Sequence, residues 1–124
     1  MTVRDVAGTL GLEVLVGNGP DKLKLIPHPG LDKEITGGYV SDLLSDVIAH
    51  AKPGDLWITL QAHRNIVAVA TLKELAGIVL VAGRRPDSET LAKARAENVP
   101  VLTSQLPAFE LAGKLYQMGI RGTE

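Results

Sequence analysis

Residues 36–61, TGGYVSDLLSDVIAHAKPGDLWITLQ, decide the fold of this chain. The glycine pair Gly37-Gly38 lies within a predicted strand and leads into an amphipathic stretch. Ser41 stands where it could cap a helix over that stretch. A Pro-Gly-Asp triplet at 53–55 then predicts a turn, and a strongly apolar run follows it. Strand, helix, turn and strand in this order predict two parallel strands joined by a helix.

The rest of the chain alternates between strand-like and helix-like stretches. Strands are predicted over residues 12–16, 35–40, 56–60, 78–81 and 99–102, with a further short strand at 22–26 inside an irregular excursion, 17–30. Helices are predicted after Thr2, after Ser41, over residues 65–75, after Pro86 and after Ser104. This alternation indicates an α/β fold. We predict a three-layer α/β/α domain with a mostly parallel sheet of about five strands.

Caps and apolar stripes define the predicted helices. Thr2 and Asp5 match a capping box, and Gly11 should end the first helix. Ser41 and Ser104 are predicted to cap the second and the last helix. Inward-facing side chains are expected at Leu43, Leu44, Val47, Ile48 and Ala51 in the second helix, and at Phe109, Ala112, Leu115, Tyr116 and Met118 in the last.

Composition excludes several classes of protein. The 124 residues fit one domain, with 45% hydrophobic residues, 22% charged residues and a net charge of −1, so no basic surface points to nucleic acid. Aromatic residues make up only 3%, which disfavours base stacking. No cysteine is present, and no apolar run is long enough to span a membrane. The first ten residues lack the apolar core of a signal peptide, so a cytoplasmic location is expected.

Common catalytic and cofactor-binding patterns are missing from the sequence. The glycine-rich stretch 17–19 completes neither a dinucleotide fingerprint nor a Walker loop. His28, His50 and His63 show no paired spacing and no HExxH, which disfavours a zinc enzyme. We therefore predict no metal, no cofactor and no catalytic residues.

Polar residues gather just after the predicted strands. In open α/β sheets, ligands bind outside the carboxyl ends of the strands, at the switch in strand order. The residues predicted to form a binding site are Gly37, Gly38, Tyr39, Ser41, Asp42, Gln61, His63, Arg64, Asn65, Gly83, Arg84, Thr103 and Ser104. Two arginines and free helix N-termini suit a phosphate or a carboxylate, and glycines let a ligand approach the backbone. The alternative is a polar rim without a ligand.

Single members of this set also have structural interpretations. Asp42 and Asp46 are four residues apart, and we expect them on one helical face, where carboxylates balance the helix dipole. Capping alone explains Ser104. His63 fits a helix-capping loop as well as it fits a ligand site.

From Gly38 onward the chain resembles the DRTGG domain. The shared features are Gly38-Tyr39, Leu44, Pro53-Gly54-Asp55-Leu56, Ile58, His63-Arg64, Ile78-Val79-Leu80, Gly83, Pro86 and residues 99–104. Related domains differ at three places, with Gly-Asp-Arg, Thr-Gly-Gly and Asp-Thr where this chain has Ala62-His63-Arg64, Val81-Ala82-Gly83 and Pro107-Ala108. Residues 1–124 are thereby interpreted as a single DRTGG-like domain.

The resemblance implies a regulatory module, often dimeric, without established catalysis. Such domains accompany CBS domains in regulated pyrophosphatases and occur in long-form phosphotransacetylases, and their fold is similar to that of the N-terminal domain of HPr kinase/phosphorylase. Stand-alone versions occur near iron-hydrogenase and serine-kinase-like signalling genes. The leading hypothesis is a non-enzymatic homodimer that senses a nucleotide or phosphometabolite. The alternative is an adaptor for a redox or kinase signalling partner. An enzyme that uses His63 with Ser104 or Asp42 is least favoured.

Overall fold

A computed structural model of the chain describes residues 1–15 and 30–122. Its strands are β1 (Glu13–Val14), β2 (Gly37–Val40), β3 (Asp55–Thr59), β4 (Gly77–Leu80) and β5 (Val101–Thr103). Its helices are α1 (Val3–Leu10), α2 (Leu44–His50), α3 (Asn65–Lys73), α4 (Ser88–Ala96) and α5 (Ala108–Gln117). The predicted strand at 22–26 and His28 lie outside the described residues.

The described strands form one sheet in the order β1-β5-β4-β3-β2. The pairs β2–β3, β3–β4 and β4–β5 are parallel, and β1 pairs with β5 in the antiparallel direction. Helices α2, α3 and α4 supply Val47, Ile66 and Ala94 to the apolar cluster on one face. Helices α1 and α5 supply Val6 and Leu111 to the cluster on the other face. The predicted three-layer α/β/α architecture with a mostly parallel, five-stranded sheet is confirmed.

The parallel strands follow each other across the sheet in chain order. All three helices that connect them, α2, α3 and α4, pack on one face of the sheet. A ligand crevice at a switch in strand order needs successive helices on opposite faces. The order of the described parallel strands never reverses. The prediction of a crevice at a switch in strand order is therefore wrong for these strands.

The predicted N-caps at Ser41 and Ser104 are wrong, whereas the N-cap Thr2 and the C-cap Gly11 of α1 are confirmed. Thr2 forms a complete capping box with Asp5. Helix α2 has Leu43 as its N-cap, and α5 has Pro107, both without a side-chain hydrogen bond. The Ser41 hydroxyl instead accepts a hydrogen bond from the amide of Leu43 at 3.2 Å. Ser41 and Ser104 lie in the turns that precede α2 and α5. In such turns a hydrogen bond from the serine side chain to a nearby backbone group competes with helix capping.

The inward faces of α2 and α5 are narrower than the sequence indicated. In α5 only Leu111 and Leu115 are buried, whereas the Phe109 side chain is 87% exposed and that of Tyr116 is 58% exposed. In the stretch around α2, Leu43 and Ile48 are exposed. A helix against a sheet buries one stripe, and residues beyond that stripe face solvent whatever their polarity.

The length and polarity of the helices show whether any of them could span a membrane. No helix of residues 1–15 and 30–122 is long and apolar enough to cross a membrane.

Candidate functional site

The carboxyl ends of the four parallel strands lie along one edge of the sheet, which we call the carboxyl edge. Residues 41–42, 61–65, 83–84 and 104 follow β2, β3, β4 and β5 at this edge. The expected position of Gly37 and Gly38 at this edge is wrong. They begin β2, paired with Asp55 and Leu56 at the first residues of β3, so regular strand pairing places them at the opposite edge of the sheet.

Asp42 joins the ends of β2 and β3. Its carboxylate accepts hydrogen bonds from the Thr59 hydroxyl at 2.8 Å and from the Leu60 amide at 2.7 Å. The Thr59 hydroxyl in turn accepts a bond from the Gln61 amide at 3.0 Å. Asp42 precedes the N-cap of α2, so the predicted common helical face with Asp46 is wrong. Its carboxylate stabilises the loop between β2 and α2 by joining it to the end of β3.

Asp46 connects Tyr39 to the end of α2. Its carboxylate accepts a bond from the Tyr39 hydroxyl at 2.8 Å and lies 3.0 Å from the His50 ring. Hydrogen bonding by Ser41 and by Tyr39 holds the pKa of the Asp46 carboxyl below its usual range. The bond to Asp46 raises the pKa of the Tyr39 hydroxyl. The Tyr39 hydroxyl therefore links β2 to α2 through Asp46.

At the carboxyl edge, α3 begins at Asn65, with Arg64 as its N-cap and His63 just before the cap. The His63 ring accepts a bond from the Asn65 amide at 3.2 Å, so the first amide of α3 is occupied. Asp87 caps α4, and hydrogen bonding by Thr90 lowers its pKa, with smaller effects from the charges of Arg64 and His63. The loops after β3 and β4 are therefore close together.

Gly83, Arg84, Thr103 and Ser104 bring together the ends of β4 and β5. The Thr103 hydroxyl donates to the carbonyl of Arg84 at 2.8 Å, and the Gly83 amide donates to the carbonyl of Ser104 at 2.8 Å. Gly83 has a φ of +70°, and an added Cβ would lie 2.9 Å from the Gln105 side chain. The Ser104 hydroxyl accepts a bond from the Leu106 amide. The turn after β4 thus favours glycine at position 83 because of its left-handed conformation.

The predicted site thus divides into an internally bonded part and a free part. The Asp42 carboxylate, the Gln61 backbone amide and the Thr103 hydroxyl form hydrogen bonds within the edge. The guanidinium groups of Arg64 and Arg84 are exposed and form no ion pair with any residue that the structure describes. A cavity of about 250 Å³ also opens beside Thr103 and Ser104. The positive side chains after β3 and β4 are the part that could meet an anion.

Sequence reasoning missed two residues that organise this edge: Thr59 and Asp87. A threonine that ends an apolar strand is a detectable signal, and Asp87 directly follows Pro86, where the fourth helix is predicted to begin. No three histidine, aspartate or glutamate side chains converge as metal ligands within the described part of the chain.

Comparisons with known proteins give a family and a fold. A comparison with curated proteins gives no match. The structure is similar to the CBS and DRTGG domains of the regulatory region of Clostridium perfringens pyrophosphatase, solved with the activator diadenosine tetraphosphate, at a TM-score of 0.63 and 18% identity. The alignment covers 90% of this chain and 44% of that chain, so this chain spans less than half of its length. Residues 39–118 match the DRTGG domain. The chain belongs to the DRTGG domain family.

Proposed function

We propose that this chain is a regulatory module without catalytic activity that binds a small anionic ligand, a nucleotide or a phosphorylated metabolite, at the carboxyl edge. The observation that carries the proposal is the pair of exposed arginines, Arg64 and Arg84, which follow adjacent strands and form no ion pair within the described residues. Guanidinium groups bind phosphates through paired hydrogen bonds. The nucleotide activator of the C. perfringens regulatory region supports this ligand class.

The geometry of the edge supports binding over catalysis. The Ser104 hydroxyl and the His63 ring both accept bonds from nearby backbone amides. The Asp42 carboxylate accepts bonds from Thr59 and Leu60. A catalytic set needs a nucleophile in hydrogen-bond contact with its base, whereas each of these groups is bonded to its own loop.

Replacing Arg64 by alanine should weaken anion binding by about tenfold or more, because a hydrogen bond to a charged group contributes about 1.5–3 kcal/mol. The measurement is the rise in melting temperature with adenine nucleotides, diadenosine tetraphosphate, pyrophosphate and sugar phosphates. Arg4→Ala is the control, because Arg4 lies on α1, which packs on the other face of the sheet from α3, and pairs there with Asp32. An anion that stabilises Arg64→Ala as strongly as the unmodified chain would show that the site is wrong.

An exposed apolar surface favours a second candidate, association of two copies of the chain. This surface, the α5 surface, consists of Phe109 and Tyr116 on α5 and Val40 at the end of β2, which are 87%, 58% and 52% exposed. The guanidinium of Arg121 lies 3.8 Å from the centre of the Tyr116 ring, on one of its faces. A cavity of about 140 Å³ adjoins Val40 and Tyr116, close to the roughly 150 Å³ that holds a benzene ring. A partner's Phe109 ring fits a space of this size, so the surface offers both a projecting ring and a receptor for one.

Phe109→Ser should weaken such a dimer by at least about 2 kcal/mol, the size of a central aromatic contact. Sedimentation equilibrium measures the change. Leu72→Ser is the matched control, because Leu72 is 66% exposed on α3, which packs on the other face of the sheet. A monomeric parent chain at high concentration, or a dimer that is unchanged in Phe109→Ser, would exclude this interface and favour an adaptor for a different partner.

A further inference from the structure

The cavity beside Thr103 and Ser104, which we call the β5 cavity, opens at the carboxyl edge. Its volume is about 250 Å³. The residues that line it come from the end of α1, from β1 and from the end of β5 with the turn that follows, namely Leu10, Gly11, Glu13 and residues 103–106. Its wall thus combines apolar side chains with a few hydrogen-bonding groups, as is usual in small-molecule sites.

The loop after β4 borders the β5 cavity. The Gly83 amide donates a hydrogen bond to the carbonyl of Ser104 at 2.8 Å, and the Thr103 hydroxyl donates to the carbonyl of Arg84 at 2.8 Å. Both Ser104 and Thr103 line the cavity. Arg84 is one of the two arginines of the anion site proposed above. A ligand that is bound by Arg84 therefore has the β5 cavity beside it.

The charges around the β5 cavity suit a neutral group better than a phosphate. The Glu13 carboxylate in its wall pairs with the Arg85 guanidinium at 2.6 Å, so this pair adds no net charge. Leu10 and Gly11 are the last residue and the C-cap of α1, and the carbonyl end of a helix carries partial negative charge. This wall therefore favours an uncharged group with N–H donors, whereas phosphates are better placed at Arg84.

Gln105 connects the β5 cavity with the loop after β4. Its side chain lines the cavity. Its carboxamide oxygen and nitrogen lie 2.9 Å and 3.3 Å from the position that a Cβ would take on Gly83, so the carboxamide packs over Gly83, the residue before Arg84. A carboxamide presents an acceptor and a donor side by side. It pairs with adenine by accepting from the amino group on C6 and donating to N7.

We propose that the anion of the carboxyl edge is an adenine nucleotide, whose phosphates lie at Arg64 and Arg84 and whose base lies in the β5 cavity, paired with Gln105. This inference rests on the proposed anion site and assigns the part of the ligand that the two arginines do not define. Leu10 and Leu106 supply apolar contact for the base. Inorganic phosphates would contact only the arginines. Guanine presents two acceptors, N7 and O6, where adenine presents an acceptor and a donor.

Calorimetric titration of the whole chain with adenosine mono-, di- and triphosphate tests this proposal. The guanosine nucleotides and the inorganic phosphates with the same number of phosphorus atoms are titrated in parallel. We expect at least one adenine nucleotide to bind about tenfold more tightly than its guanine and inorganic counterparts, the size of one paired base contact. Gln105→Leu should remove most of this preference and leave the binding of inorganic phosphates unchanged. Gln117→Leu is the matched control, because Gln117 is exposed at the other end of α5.

Leu10→Trp provides an independent test of the β5 cavity. The larger side chain reduces the space that the base would occupy. It should weaken the binding of adenine nucleotides about tenfold and leave that of inorganic phosphates unchanged.

The outcomes separate the base position from the anion site. An adenine preference that is lost in Gln105→Leu and in Leu10→Trp supports the proposal. Adenine nucleotides that bind no more tightly than their guanine or inorganic counterparts, or a preference that survives both substitutions, overturn it. If inorganic phosphates bind and Arg64→Ala weakens them, the anion site stands even where the base position fails. No binding of any of these anions would overturn both.

Discussion

Replacing Trp57 by alanine should lower the free energy of unfolding by about 3–5 kcal/mol, the usual range for removing a buried aromatic side chain. Trp57 lies in the centre of β3, between β2 and β4, with no exposed surface. Its indole N–H also donates to the carbonyl of Ser41 at 2.8 Å. The substitution therefore leaves a cavity and an unpaired carbonyl. It would remove a large share of the roughly 5–15 kcal/mol that stabilises a typical domain.

Urea unfolding followed by far-ultraviolet circular dichroism measures this change without relying on tryptophan fluorescence. Leu72→Ala is the control, because an exposed side chain is expected to change stability by only about 0.5 kcal/mol. A loss below about 1 kcal/mol for Trp57→Ala would mean that the packing of β3 against α2 and α3 is described incorrectly.

Gly54→Ala should have the next largest effect. Gly54 adopts a φ of +85° in the turn where the Asp55 amide donates to the Lys52 carbonyl at 3.0 Å. A side chain there costs about 1–2 kcal/mol for the left-handed conformation. The added Cβ would also lie 2.2 Å from the Thr36 hydroxyl oxygen. Displacing that hydroxyl from the carbonyl of Pro53 costs a further ~0.5–1.5 kcal/mol.

Gly8→Ala is the matched control for Gly54→Ala. Gly8 lies inside α1, and an added Cβ would meet nothing within 4 Å. Alanine should therefore stabilise the helix by about 0.5–1 kcal/mol. Thermal unfolding of both variants gives the comparison, and the two substitutions should shift the melting temperature in opposite directions. A shift of the same sign would contradict the turn geometry.

The fold could be predicted because its strongest signals are local and periodic. Residues 65–75 were predicted as a helix, and α3 covers Asn65–Lys73. The Pro53-Gly54-Asp55 turn is also where the sequence indicates it. The prediction for Asp42 was wrong because its contacts involve residues that are distant in the sequence. The Asp42 carboxylate binds Thr59 and Leu60, seventeen or more positions away, and no helical periodicity reveals such a bond.

The sequence reveals only part of the candidate site at the carboxyl edge. The carboxyl edge follows from strand ends, so Arg64 and Arg84 could be selected from the sequence. The strand order could not be derived from the sequence. For the same reason, the sequence did not reveal that the described parallel strands have no switch in their order.

The most direct test of the central claim is a nuclear magnetic resonance titration of the isotopically labelled chain with adenine nucleotides, diadenosine tetraphosphate, pyrophosphate and sugar phosphates. We expect at least one of these anions to cause saturable amide shifts at residues 61–65 and 83–85, with little change at Gly54 and Ala76 on the opposite edge. Shifts centred on the opposite edge, or no saturable shift with any of these anions, would contradict anion sensing at the carboxyl edge.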